Sequence, residues 1–389
     1  MRKIRTYNSI STHGLDRFPR DSYEISSEIS EPDAIMLRSQ NLHDTSFPDQ
    51  VKAIARCGAG VNNIPVSDCT HQGIVVFNTP GANANAVKEL VLTGMLISSR
   101  NVIGGLDFAR NLMSERDNPE FSKLVEKGKK DFVGSELAGK TLGVIGLGAI
   151  GASVAHAALS LGMKVIGYDP ALSVDAAWQL SSQIKRAENM QWLLARCDFV
   201  SLHVPANEKT KDLLNADTLS HIKEGAVLLN FARGSIVNQQ ALLSSLEQEC
   251  IGQYVCDFPS PELLDHPKVI SLPHLGASTL EAEQNCASMA ADQLMDFLEN
   301  GNIRNSVNFP SITLDRTQGY RIAFANDNVP KVLSHVLSVL SDMEINVIDM
   351  LNRSRDDIAY TIVDIASEPT DELLAQISSV EHVFNVRTF

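Results

Sequence analysis

The sequence predicts an α/β protein with two successive parallel sheets and crossover helices, followed by a small α+β unit. Three observations predict it. Short apolar runs alternate with helical segments along most of the chain. A glycine-rich hexamer sits at one strand–helix junction. Residues 318–389 read as strand, helix, strand, strand, helix, strand.

In chain order, residues 33–39, 51–56 and 73–77 are short apolar runs ending in polar or glycine-rich turns, with helical segments between them. That alternation implies a parallel sheet buried on both faces. Apolar residues at helical spacing predict one long helix over about 83–112, with Gly104 and Gly105 weakening its middle. A second series follows the turn-like 134–140, with strands expected at 141–146, 163–169, 198–204, 226–231, 251–257 and 269–273. Helices are expected between them at 150–160, 189–195 and 238–249. Six such strands fit a doubly wound sheet. A helix over about 279–300 ends at Asn300-Gly301, a C-cap signal. Residues 301–317 are polar and aperiodic and read as a linker. Strands at 320–325, 345–352, 358–365 and 382–388, with helices at 330–342 and 370–379, give the order βαββαβ.

Composition narrows the function. The chain has 389 residues, 44% hydrophobic and 21% charged, which is ordinary globular composition. Its net charge of −14 repels phosphate backbones, so nucleic acid is a poor partner. The N-terminus lacks the apolar core of a signal peptide. Thr141 to Met163 carries no charge over 23 residues, but its five glycines, His156 and strand-like first half argue against a membrane span. The six cysteines form no CxxC pair and read as reduced thiols, which points to a cytoplasmic protein. No metal-ligand cluster is apparent, and none is expected.

The uncharged stretch contains Gly146-Leu147-Gly148-Ala149-Ile150-Gly151, a GxGxxG that follows an apolar strand and opens a helix. Such glycines permit a tight turn and close approach of backbone N–H groups to a pyrophosphate. The next strand ends at Asp169, 18 residues after Gly151. A carboxylate there accepts from ribose hydroxyls and repels a 2′-phosphate, which favours NAD over NADP. Arg233, Glu262 and His274 each stand just beyond a predicted strand, where an open parallel sheet faces its ligand. Together they suit oxidation of a 2-hydroxy acid. The arginine forks onto the carboxylate. The histidine takes the hydroxyl proton as hydride leaves. The glutamate, bonded to the ring's other nitrogen, fixes its tautomer.

Over about 30–310 the sequence resembles the D-isomer-specific 2-hydroxyacid dehydrogenases. The likeness is carried by 55–64 (ARCGAGVNNI), 78–83 (NTPGAN), the glycine hexamer, 202–205 (LHVP), 230–234 (NFARG) and 273–279 (PHLGAST). It implies a Rossmann-type NAD domain at 96–277 and a flavodoxin-like substrate domain made of 1–95 and 278–305, with a cleft between them. It assigns Arg233, Glu262 and His274 as the catalytic trio. Cofactor contacts fall to Thr79, Gly146, Gly148, Ala149, Ile150, Gly151, Asp169, Val204, Phe231, Ala232, Asp257, Gly276 and Ala277. Arg56, with Arg38 and Gly58, is expected to hold a phosphorylated substrate, 3-phospho-D-glycerate. The alternatives are another D-2-hydroxy acid, such as glyoxylate or a 2-oxodicarboxylate, and an NADH-responsive binding protein.

After a linker at 306–317, residues 318–389 resemble an ACT domain, a ferredoxin-like α+β module that binds amino acids between paired copies. The likeness implies a serine effector at Asn326, Asn328 and Asn346, and a homodimer or homotetramer.

Overall fold

The computed structural model describes residues 1–389. It divides into two compact units, Met1–Asn83 with Leu280–Phe389, and Ala84–Thr279. The expected boundary at 95/96 falls inside a helix, Ala84–Arg100, which belongs whole to the second unit.

The first unit opens with a parallel sheet of β1 (Arg2–Thr6), β2 (Tyr23–Ser26), β3 (Ala34–Leu37), β4 (Ala53–Arg56) and β5 (Val75–Phe77). Its order, β2-β1-β3-β4-β5, is the flavodoxin-like winding. β3 and β5 are buried along their whole length, as expected of strands covered on both faces. β1 and β2 lie outside the strands read from sequence, because only Ile4 and Tyr23 of their residues are buried.

The second unit carries β6 (Thr141–Ile145), β7 (Lys164–Tyr168), β8 (Lys185–Arg186), β9 (Phe199–Leu202), β10 (Ala226–Asn230), β11 (Ile251–Cys256) and β12 (Val269–Ser271). The order β12-β11-β10-β9-β6-β7-β8 reverses direction between β6 and β9, the topological switch of a doubly wound sheet. Seven strands form where six were expected; the extra one, β8, is two exposed charged residues with no apolar signal. The single helix expected over 83–112 is two, Ala84–Arg100 and Val102–Asn111. The break is at Asn101, which adopts a left-handed φ of 46°, while Gly104 and Gly105 lie inside the second helix.

The chain then returns to the first unit through the helix Leu280–Asn300. β13 (Tyr320–Asp327), β14 (Val347–Arg355), β15 (Ile358–Ile365) and β16 (Val383–Thr388) form an antiparallel sheet in the order β14-β15-β13-β16. Two helices, Val332–Asp342 and Asp371–Ser379, cover one face through Ile322, Phe324, Val363 and Ile365. This is the ferredoxin-like arrangement. The opposite face, Ala323, Ala325, Tyr360 and Ile362, joins the core of the first sheet. Arg387 Nη2 donates to Gly73 O at 2.8 Å across that contact.

The segment expected as a linker is packed. Phe309 and Ile312 are buried, and Asn308 braces β5 by accepting from Val76 N–H and donating to Ile74 O, both at 2.9 Å. Arg321, fully buried, pairs with Asp364 at 2.7 Å and donates to the carbonyls of Asn300, Leu314 and Asp315. No helix is long and apolar enough to cross a membrane.

Candidate active site

The three glycines of the hexamer do different work at the switch point. Gly146, directly after β6, turns the chain with φ +92°, and a Cβ there would meet His203 O at 2.6 Å. Gly151 packs so tightly on the turn that a Cβ would fall 1.9 Å from Gly146 O. Gly148, at the N-cap of the helix Ala149–Ser160, is exposed with nothing within 4 Å of its would-be Cβ. That opening at a helix N-terminus fits a dinucleotide pyrophosphate. Ala149 is exposed and Ile150 half-buried beside it, and Val204 lines the Gly146 turn. Asp169 closes the turn, accepting from Leu147 N–H and Ala171 N–H, both at 2.9 Å.

Beneath the turn stands His203, a residue the sequence reading passed over. Its N–H donates to Ile145 O at 2.8 Å and its Nε2 lies 2.8 Å from Ser201 Oγ. Desolvation pushes its imidazole down to about 3, so it stays neutral as a packing support.

The trio follows the ends of adjacent strands. Arg233 comes after β10, exposed, in a turn braced by the buried Asn230, whose Nδ2 donates to Arg233 O at 2.9 Å and to Tyr254 Oη at 3.1 Å. Phe231 is buried between them and Ala232 N–H donates back to Asn230 Oδ1 at 3.2 Å. Asn230 was legible as a polar residue ending an apolar strand. Glu262 lies beyond β11 on the short helix Pro261–Leu264, capped by Ser260. Backbone, Ser260 and Gln239 hydrogen bonds hold its carboxyl below the usual carboxylate range. His274, after β12, has φ +58° and packs on Phe258 with ring centroids 5.0 Å apart.

One expected contact is absent. Glu262 Oε2 accepts from Gln239 Nε2 at 3.1 Å, and no hydrogen bond joins it to His274. Glutamate and histidine sit at neighbouring strand ends, but the carboxylate is turned toward the helix Gln239–Glu247. The histidine loop is fixed by Asp257 instead. That carboxylate is 1% exposed; its Oδ1 accepts from Leu275 N–H and its Oδ2 from Gly276 N–H, both at 2.7 Å. Both oxygens are thus engaged by backbone next to His274. Ala277, three residues after His274, is exposed.

In the first unit, Thr79 is fully buried and its N–H donates to Gly58 O at 3.1 Å, tying the ends of β5 and β4. Gly58 has φ +152°, and a Cβ there would lie 1.9 Å from Arg56 Nη1, so the guanidinium folds over a position open only to glycine. Arg56 Nε donates to Arg38 O at 3.1 Å. Asn8, also passed over in sequence, accepts from the N–H groups of Arg38, Ser39 and Gln40 and so shapes that loop.

In the C-terminal sheet the three asparagines do not meet. Asn326 and Asn328 stand where β13 opposes Ile358, whereas Asn346 precedes Val347, which opposes Ile365 at the other end. A strand of this length separates them by ~25 Å.

Comparison with known proteins agrees with this layout. Residues 105–276 match the model of the D-isomer specific 2-hydroxyacid dehydrogenase NAD binding domain. The unit is therefore an NAD-binding dehydrogenase domain. A D-3-phosphoglycerate dehydrogenase of Synechocystis sp. is 35% identical over 81% of this chain and 57% of its own length. One from Haemophilus influenzae is 30% identical over 94% of this chain and 89% of its own. The chain belongs to the D-3-phosphoglycerate dehydrogenase family. It spans little more than half the length of several of these relatives. The NAD+-bound 3-phosphoglycerate dehydrogenase of Entamoeba histolytica aligns over 79% of this chain and 98% of its own, with TM-score 0.62 and 26% identity.

Proposed function

We propose that the protein oxidises 3-phospho-D-glycerate to 3-phosphohydroxypyruvate with NAD, the reaction that opens L-serine synthesis. The observation that carries this reading is the placing of Arg233, Glu262 and His274 after three adjacent strands, in the unit that bears the Gly148 opening. When bound, NAD supplies the hydride acceptor. Arg233 holds the substrate carboxylate through its planar fork. His274 takes the hydroxyl proton. Glu262, ionised throughout the neutral range, turns from Gln239 to the imidazole and favours its protonated form. Arg38 and Arg56 are assigned to the distal phosphate, which prefers multidentate cationic donors.

A homo-oligomer is supported by the apolar side chains Leu96, Val102, Ile103, Leu106 and Met113, each more than 40% exposed. For the C-terminal sheet we infer an ACT-type role. The buried Asn326 Oδ1 has no partner, and a site using both Asn346 and the Asn326–Asn328 end takes two copies of the chain. The six free thiols fit a reducing, cytoplasmic setting.

The test is a substrate panel followed by NADH absorbance: 3-phospho-D-glycerate, D-glycerate, glyoxylate and a 2-oxodicarboxylate, each with and without serine. The phosphorylated acid is expected to give the highest kcat/KM, and serine to lower its rate. Faster turnover of an unphosphorylated acid overturns the substrate, and indifference to serine overturns the effector.

A further inference from the structure

Glu283 lies near the start of the helix Leu280–Asn300, and its Oε1 sits 2.8 Å from Arg38 Nη2. Their side chains are 38% and 39% exposed, so the pair is reachable by a solute. Arg38 is not placed casually. Asn8 fixes its loop, and its carbonyl receives Arg56 Nε. Arg38 thus meets Glu283 through its guanidinium and Arg56 through its carbonyl. The cluster is therefore two guanidiniums with one carboxylate already seated.

We propose that Glu283 sets the affinity for the phosphorylated substrate as a built-in competitor: it occupies Arg38 in the unliganded chain, and a phosphate dianion must displace it. The inference rests on the reading of Arg38 as a phosphate ligand. The physical case has two parts. A half-exposed carboxylate–guanidinium pair is worth only ~0–1 kcal/mol, so exchange is easy. A dianion forms more and stronger charge-assisted bonds than a carboxylate, whereas an uncharged hydroxyl end gains nothing by displacing it. Glu283 thus weakens binding of every anion that must take its place on Arg38, and leaves an uncharged end, which does not displace it, almost untouched.

The experiment compares KM for 3-phospho-D-glycerate and for D-glycerate in wild type, Glu283→Gln and Arg38→Ala, with inorganic phosphate as a competing probe. Glu283→Gln is expected to lower KM for the phosphorylated acid by about three- to fivefold and to tighten inhibition by phosphate equally, the size of one exposed ion pair. KM for D-glycerate moves much less. Arg38→Ala raises KM for the phosphorylated acid about tenfold or more. If Arg38→Ala has its effect but Glu283→Gln leaves or raises that KM, the competitor role is wrong. If Arg38→Ala has no effect, the phosphate assignment itself is wrong. Glu283→Ala gives the same readings if the glutamine variant misfolds.

Discussion

Replacing Asp257 by asparagine exchanges one of two acceptor oxygens for an amide NH2, so a backbone N–H of Leu275 or Gly276 meets a donor instead of a carboxylate. A hydrogen bond to a charged group is worth ~1.5–3 kcal/mol, enough to free the loop that bears His274. Asp257→Asn should lower kcat about tenfold or more and speed amide hydrogen exchange at Leu275 and Gly276. Full activity with unchanged exchange would show that the carboxylate does not position the histidine. The residue scale also separates the trio's acid–base roles. Hydrogen bonds from its own backbone, Ser260 and Gln239 keep Glu262 ionised below the ordinary carboxylate range, so a loss of oxidation on mild acidification does not report the glutamate. The placing of Arg233, Glu262 and His274 beyond strand ends was legible because each charged or titratable residue follows an apolar run. The partner of Glu262 was not, because a side-chain rotation toward Gln239 leaves no mark in spacing.

At the scale of the element, the glycine hexamer separates folding from binding. Gly148→Ala adds a methyl where no atom lies within 4 Å and φ is an ordinary −68°, so the folded state tolerates it. Its melting temperature should shift by less than about 2 °C, the scale of a neutral surface substitution. NAD affinity should fall about tenfold, because the methyl enters the space where a pyrophosphate meets the helix N-terminus. Gly151→Ala, with its contact on Gly146 O, should lower both. Unchanged NAD binding in Gly148→Ala would remove the dinucleotide from this opening. Strand legibility followed burial. β3, β5 and β9 are wholly buried and announced themselves as apolar runs. β8 is two charged residues held by register with β7 alone. The break at Asn101 was missed because asparagine tolerates a left-handed φ that the neighbouring glycines also advertise.

For the molecule as a whole, the order of elements carried both windings and the C-terminal βαββαβ unit, since connectivity is written along the chain. What covers the second face of that last sheet was not legible. Ala323, Ala325, Tyr360 and Ile362 alternate with an equally apolar opposite face, and nothing local says that the first sheet's core meets them. Arg321 and Asp364 form a buried pair that ties the sheet to Asn300 and the segment after it. These contacts set the frame; in the proposed reaction the chemistry depends on one imidazole. The most direct measurement is NADH formation from NAD and 3-phospho-D-glycerate by His274→Ala, beside a titration of NADH binding to the same variant. Turnover should fall by ~10²–10⁴-fold with NADH binding retained. Turnover at the wild-type rate would contradict the assignment of His274 as the group that takes the proton.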